Sequence, residues 1–420
     1  MIKTFGSEHF KNIVELNFDL HSHLATLFVS RDVNAIIQLL EIEFDTDIRY
    51  GETLLFLDEI QSAPEILPLL RYFYEELPNL HVIATGSLLD FVLKEHSFSM
   101  PVGRIEYMFM GPLTFSEFLE ATGKERLLKY MRNYVLENDF PLSIHNKLLD
   151  QLKIYFITGG MPAAVNEYIK TGKFRTVTME QVSILQTYRD DFNKYGGKLD
   201  LGLLNLIFSQ LGSNVTKKVK YVNFDRNSKA ARVAQCLEVF DRARIINRVY
   251  HSAGNGIPLG AEINSKVQKL LFLDLGLLST ILGLKITDVQ SAKELDMVHS
   301  GAIAEQFIGQ HLLYAAEPFR EPTLYYWNRD KKSSTAEVDY LYEYGNEVVP
   351  IEVKAGKTGR MKSLQLFVSE KGTNTAVRFN SDLPSVCKTH TTVDISSTDY
   401  TLISLPLYMV EEVGRILGNN

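Results

Sequence analysis

The sequence predicts an α/β chain of several domains, and three observations carry that reading. Its 420 residues exceed one ordinary domain, at roughly 150 residues each. Apolar residues make up 45% and charged residues 23%, the balance of a folded chain rather than a disordered one. Over residues 1–122, apolar strand-like runs alternate with helical ones, the pattern of an α/β sheet.

Strands are expected over Asn12–Phe18, Thr53–Asp58 and His81–Thr85. The last two are near-continuous apolar runs, as parallel strands buried on both faces require. Between them Ile66, Leu69, Leu70, Phe73 and Leu77 recur at helical spacing, which predicts a helix over Ser62–Leu77 with Pro64 in its first turn. From Gly123 to Asp191 the pattern is helical, divided by the turn signal Gly159-Gly160-Met161-Pro162. Another helical run, Leu199–Leu211, leads into residues 214–248, followed by β-type segments at Arg244–Tyr250 and Lys266–Asp274. A helix over Ser300–Tyr314 precedes β-type runs at Thr323–Trp327, Glu337–Tyr342 and Glu347–Val353. A helix near Met361–Glu370, a strand at Thr375–Phe379 and a closing apolar segment complete the chain.

Several classes are disfavoured. Cys236 and Cys387 are the only cysteines and form no CxxC pair, which argues against a disulfide framework or a cysteine zinc site. No signal peptide is visible, and the longest apolar stretch, Leu270–Leu284, is broken by Asp274 and falls short of the roughly 20 residues of a membrane span. A cytoplasmic protein without membrane partners is expected. The net charge of −7 resides in residues 1–60, and the remainder is neutral. Residues 214–248 carry nine Lys or Arg against three acids, with an apolar stripe of Ala230, Val233, Ala234, Leu237 and Phe240. Lys217, Lys218, Lys220, Lys229 and Arg232 are the candidates for DNA contact, since phosphate binding is largely electrostatic; the bland alternative is a solvated helix face.

Two groups of acids stand out. Leu54-Leu55-Phe56-Leu57-Asp58-Glu59 reads as a buried strand ending in paired acids, the Walker B arrangement. There Asp58 serves the Mg²⁺ shell and nucleotide binding, and Glu59 orients and deprotonates the attacking water. Ser87 follows the next strand, at the edge where open sheets bind ligands, and serves as a γ-phosphate contact or as a helix N-cap. Arg104, after Gly103, is a weaker phosphate candidate. The second group is Glu305, Asp339, Glu352 and Lys354. Glu352 and Lys354 share a strand face, Asp339 lies on the preceding β segment, and Glu305 is on the helix before. Such a set suits metal-assisted phosphodiester cleavage, with Asp339 and Glu352 as ligands and Lys354 positioning water; an exposed charged hairpin is the alternative. His21-Ser22-His23 reads as two surface histidines on a strand face.

No G-x-x-x-x-G-K-[ST] phosphate loop occurs. Gly356-Lys357-Thr358 is a decoy, because Ile351 stands where the first glycine belongs. LLFLDEIQ, HVIATGSLLDF, GRIEYMFMGPLTFSEFL, KLLFLDLGLLSTILG, GAIAEQFIGQHLL, AEVDYLYEY and VPIEVKAGK in this order resemble the prokaryotic AAA-family ATP-binding proteins with a C-terminal domain of unknown function. The resemblance spans essentially the whole chain. It implies an incomplete P-loop ATPase domain with a parallel sheet over 1–122, a helical region over 123–198 and a winged-helix-like region over 199–285. Over 286–420 it implies an α/β fold similar to PD-(D/E)XK nucleases and restriction endonucleases. It also implies ATP and Mg²⁺ as cofactors. Ile2-Lys3-Thr4-Phe5-Gly6 resembles the end of the helix that follows the phosphate loop, so the chain is expected to be truncated before it or to have lost ATP binding. The function expected is that of an ATP-binding, nucleic-acid-associated protein with a nuclease-like domain. The alternative is a non-enzymatic DNA-binding or regulatory protein with degenerate sites.

Overall fold

The computed structural model describes residues 1–86, 103–195, 199–284, 300–314, 317–329, 336–356, 361–393 and 396–418. The chain divides into two compact units, residues 1–108 and 109–420.

The first unit runs α1 (Ile2–His9), β1 (Asn12–Asn17), α2 (Val33–Phe44), β2 (Thr53–Asp58), α3 (Leu70–Glu76) and β3 (His81–Ala84). The strands form a parallel sheet in the order β1-β2-β3. Central β2 is buried from Thr53 to Leu57, which is why its sequence is continuously apolar rather than alternating. Val14, Leu16, Ile36, Leu40, Leu55, Leu57 and Phe73 share one core. Asp32 caps α2 by accepting from the Asn34 and Ala35 amides at 3.0 and 3.2 Å.

Two expectations are corrected here. The helix expected over Ser62–Leu77 is a 3₁₀ helix at Pro64–Leu69 followed by the short α3. Pro68 has no amide hydrogen for an α-type ladder, yet the tighter turns still bury Ile66, Leu67, Leu69 and Phe73. His21-Ser22-His23 opens a 3₁₀ helix, Ser22–Phe28, and lies on no strand. Leu24 and Phe28 of this helix go into the core. Both histidines are exposed, as expected, and His23 lies 3.6 Å from Glu43.

In the second unit come helices α4 (Phe115–Ala121), α5 (Glu125–Asn133), α6 (Leu142–Thr158), α7 (Pro162–Thr171), α8 (Phe174–Tyr195), α9 (Leu201–Asn214) and α10 (Ala230–Arg242). Strands β4 (Ile246–Ser252) and β5 (Ile263–Phe272) precede α11 (Leu275–Ile281) and α12 (Ser300–Tyr314). The chain closes with β6 (Leu324–Asn328), β7 (Glu337–Tyr344), β8 (Glu347–Val353), α13 (Lys362–Lys371), β9 (Thr375–Asn380), β10 (Ser385–Val393), β11 (Ser396–Pro406) and α14 (Val413–Gly418). All eight strands form one mixed sheet, in the order β10-β11-β9-β8-β7-β6-β4-β5. β4 pairs antiparallel with β5 and parallel with β6, so strands from both sides of residue 285 share the sheet.

Helix α13 packs Leu364, Phe367 and Val368 against Trp327, Val338 and Ala376. Helix α12 approaches β7 closely at Gly309, where an added Cβ would lie 2.4 Å from the Tyr340 hydroxyl. That hydroxyl donates to the Glu305 carbonyl at 2.8 Å. Buried His311 ties α12 to α4: its Nε2 accepts from the Phe115 amide and its Nδ1 meets the Phe307 carbonyl, both at 2.8 Å. Among the described residues, no helix is long and apolar enough to cross a membrane.

Candidate functional site

In the first unit the paired acids sit at the carboxyl end of β2. Asp58 Oδ2 accepts from Asn17 Nδ2 of β1 at 2.9 Å. Its Oδ1 accepts from the Thr85 hydroxyl at 2.6 Å and from the Glu59 amide at 3.1 Å. Neighbouring strands on both sides therefore fix the carboxylate. Of its roughly four lone-pair positions, three are used by the described residues, which leave one open to a water of a magnesium shell. This donor set fits the magnesium side of a nucleotide site. Glu59 follows in the left-handed region, φ 54°, which turns the chain sharply away from the strand. Its side chain accepts from Gln61 Nε2 in a short contact, and Gln61 Oε1 is buried without a hydrogen-bond partner.

The phosphate candidates fare differently. Ser87 lies outside the described residues, and Thr85 of the same Thr-Gly-Ser run makes the contact to Asp58. The Arg104 guanidinium engages Glu75, with Nε and Nη2 both 2.9 Å from Oε1. Lys357 and Thr358 of the decoy also lie outside the described residues.

In the second unit three residues of the acidic set fall into two separate ion pairs, and the fourth, Asp339, meets a backbone amide. Glu352 pairs with Lys354 in a short contact across one strand face, as the period-two spacing predicts. Glu305 pairs instead with Lys269 of β5, at 2.8 Å. The same ammonium lies 2.6 Å from Glu337 Oε1 and 4.9 Å from the centre of the Tyr326 ring. Asp339 Oδ2 accepts from the Val353 amide at 2.7 Å. Glu352 Oε2 is buried and unpartnered.

The Lys269 side chain is only 1% exposed. Burial disfavours its charged form, but Glu305, Asp339 and Glu337 outweigh this and hold its pKa above the ordinary lysine value. Burial raises Glu305, and the Lys269 charge pulls it back. Asp339 and Glu352 are also raised chiefly by burial; Lys269 counters the first, while Asp339 reinforces the second. An unpaired ammonium at this depth would be strongly disfavoured, so the lysine and its acids form one unit. Among the described residues, no group of three or more His, Cys, Asp or Glu side chains is placed to hold a metal ion. As arranged, these residues do not fit a divalent-metal site.

The basic stretch is also partitioned. Lys217, Lys218, Lys220, Arg226, Lys229 and Arg232 are exposed. Arg242 pairs with Glu238 at 3.0 Å, Arg244 lies 3.6 Å from Glu321, and Arg248 binds Asp241 at 2.7 Å and Glu238 at 3.2 Å. In α10, Val233, Cys236, Leu237 and Phe240 are buried, whereas Ala230, expected in the apolar stripe, is exposed beside Lys229. Residues 216–219 run along the outer edge of β5 through Thr216 N to Leu270 O and Val219 N to Gln268 O, both 2.8 Å.

Sequence reasoning missed Asn17, Thr85, Lys269 and Glu337. A signal existed for Lys269: a lysine two residues before Leu271, on the same face of an apolar strand, must bury its charge or bend away.

Residues 1–119 match the family model of an AAA domain. Asp58 and Glu59 lie within those matched residues. Residues 149–288 match a domain of unknown function (DUF8612), and residues 300–408 match another (DUF4143). The carboxylates Glu305, Glu337, Asp339 and Glu352 lie in the second of these, whereas Lys269 lies in the first. No curated protein and no solved structure matches the chain.

Proposed function

We propose that the chain is a nucleotide-dependent AAA-type protein that acts on DNA. The observation that carries the reading is the Asp58 carboxylate, held between Asn17 and Thr85 with one acceptor position left. When bound, a nucleoside triphosphate with Mg²⁺ supplies the transferable phosphoryl group and the cation that offsets its charge. Asp58 would hold a water of that Mg²⁺ shell through the acceptor position the described residues leave open. Glu59 orients the attacking water and takes its proton, and Gln61 steadies the Glu59 carboxylate. The DNA half rests on the six exposed basic residues from Lys217 to Arg232. Helix α9, the edge segment 216–219, helix α10 and the hairpin β4–β5 follow one another in an order that supports a winged-helix-like reading. In that reading α10 presents Lys229, Arg232 and Gln235 to the duplex.

Titration of the full chain with Mg-ATP tests the nucleotide half. The wild type should bind, and Asp58→Asn should weaken binding by ~10-fold or more, the value of a charge-assisted contact. Equal affinity in both proteins would remove Asp58 from the site. Absence of binding in the wild type would favour the second reading, a non-enzymatic DNA-binding or regulatory protein. Two observations favour that reading: no G-x-x-x-x-G-K-[ST] run occurs in the 420 residues, and Lys269 sits within the C-terminal acids.

A further inference from the structure

The acids around Lys269 come from separate elements, Glu305 from α12 and Glu337 and Asp339 from β7, while the lysine comes from β5 at the sheet's far edge. Its Nζ lies 2.8 Å from Glu305 and 2.6 Å from Glu337, beneath the Tyr326 ring. Carboxylates at such distances from a shared centre need a cation, and a hard divalent ion is the usual one. Here the chain's own ammonium meets that need. We propose that Lys269 is the resident cation of this cluster, taking the position of a divalent ion, so that the cluster binds no divalent ion while Lys269 is seated. The proposal stands on residues of the second unit alone and is independent of the nucleotide reading.

Three features support it. Lys269 contacts two acids at once, which a charge placed merely for surface solubility does not do. Burial raises the pKa of Glu305 and of Asp339, and the Lys269 charge opposes that rise in both, so their charged forms depend on it. The remaining acid of the set, Glu352, has its own lysine, Lys354, and among the described residues no three acids are placed to hold a metal ion in common. A divalent ion entering here would have to displace an ammonium that the fold holds in place from behind. The β5 backbone on either side of Lys269 accepts hydrogen bonds from Thr216 and Val219.

Mn²⁺ binding, counted by electron paramagnetic resonance on the full chain, tests this. All proteins carry Asp58→Asn, which removes the metal-facing carboxylate of the AAA domain. The parent should hold no Mn²⁺ that depends on Glu305 or Asp339. Adding Lys269→Gln should create a bound Mn²⁺ with affinity ~10-fold or more above the parent, because the acids lose their competing charge. Adding Glu305→Gln to that chain should abolish the gain. The proposal is overturned if the parent binds Mn²⁺ that Glu305→Gln or Asp339→Asn releases. It is equally overturned if a Lys269→Gln chain with native circular dichroism gains no Mn²⁺. Should Lys269→Gln fail to fold in metal-free buffer, recovery of the native spectrum by Mn²⁺ supports the proposal and failure at saturating Mn²⁺ counts against it.

Discussion

Asp274 is a carboxylate that the fold buries completely and then uses as a helix cap. Its Oδ1 accepts from the Leu277 amide at 2.9 Å, and its Oδ2 from the Gly160 amide at 2.7 Å. Burial pushes its pKa up to about 6, against the pull of those backbone donors. The folded pKa therefore exceeds the unfolded one. Between about pH 4 and pH 6 the folded chain keeps a proton that the unfolded chain has released, so this group's contribution is fullest at low pH and declines as pH rises. Asp274→Asn removes that dependence. The gap in melting temperature between wild type and Asp274→Asn should narrow from about pH 4 to about pH 7; a constant or widening gap would contradict the argument. His311 has the opposite sign. Burial lowers its pKa to about 4, so its contribution falls as pH drops from about 6.5 toward 4. His311→Gln should flatten stability loss across that acid window, checked by urea melts at several pH values. In the sequence Asp274 was legible only as an interruption of an apolar stretch. A lone acid does not reveal which distant amides will satisfy it, because those come from the turn at Gly159-Gly160.

That turn sets the element scale. The Gly-Gly-Met-Pro run was legible as a break between helices, and it does separate α6 from α7. Its second role was not legible. Gly159 adopts φ +68°, where a side chain would also meet Asp274, and a Cβ on Gly160 would lie 2.0 Å from the Leu113 carbonyl oxygen. Backbone cannot yield as a side-chain tip can. Gly160→Ala should cost about 1–3 kcal/mol in a urea melt, and an unchanged midpoint would show that the contact is looser than described. Strand spans were the easiest element-level feature to read where burial enforces them: the expected Thr53–Asp58 and Glu347–Val353 coincide with β2 and β8. The hairpin β10–β11 escaped notice because its Ser- and Thr-rich strands lack a clean apolar alternation, and β10 is an edge. At the first site, strand-end acids were visible from Asp58 and Glu59 themselves. Their partners Asn17 and Thr85 were hidden because parallel pairing joins residues that sequence separates by dozens of positions.

Across the whole molecule, charge is sorted rather than spread. The acidic residues 1–60 lie in one unit, and the exposed basic residues from Lys217 to Arg232 lie in the other. If those residues meet phosphate, affinity for duplex DNA should fall steeply with salt, by a slope near 0.9 per phosphate engaged. Lys229→Ala with Arg232→Ala should lower that slope by roughly 1 to 2, while Arg242→Ala, already paired with Glu238, should change it little. A slope insensitive to both changes would place binding elsewhere. The sheet itself has a further consequence. Strands β4 and β5 arrive before residue 285 and β6 to β11 after it, yet they share one hydrogen-bonded layer, and a lysine from the first group neutralises acids from the second. The two stretches are therefore not interchangeable cassettes. A recombination joint anywhere between them leaves β6 with an open edge and the acids without their lysine, so inheritance should transmit both stretches together or replace Lys269 and its carboxylates in concert.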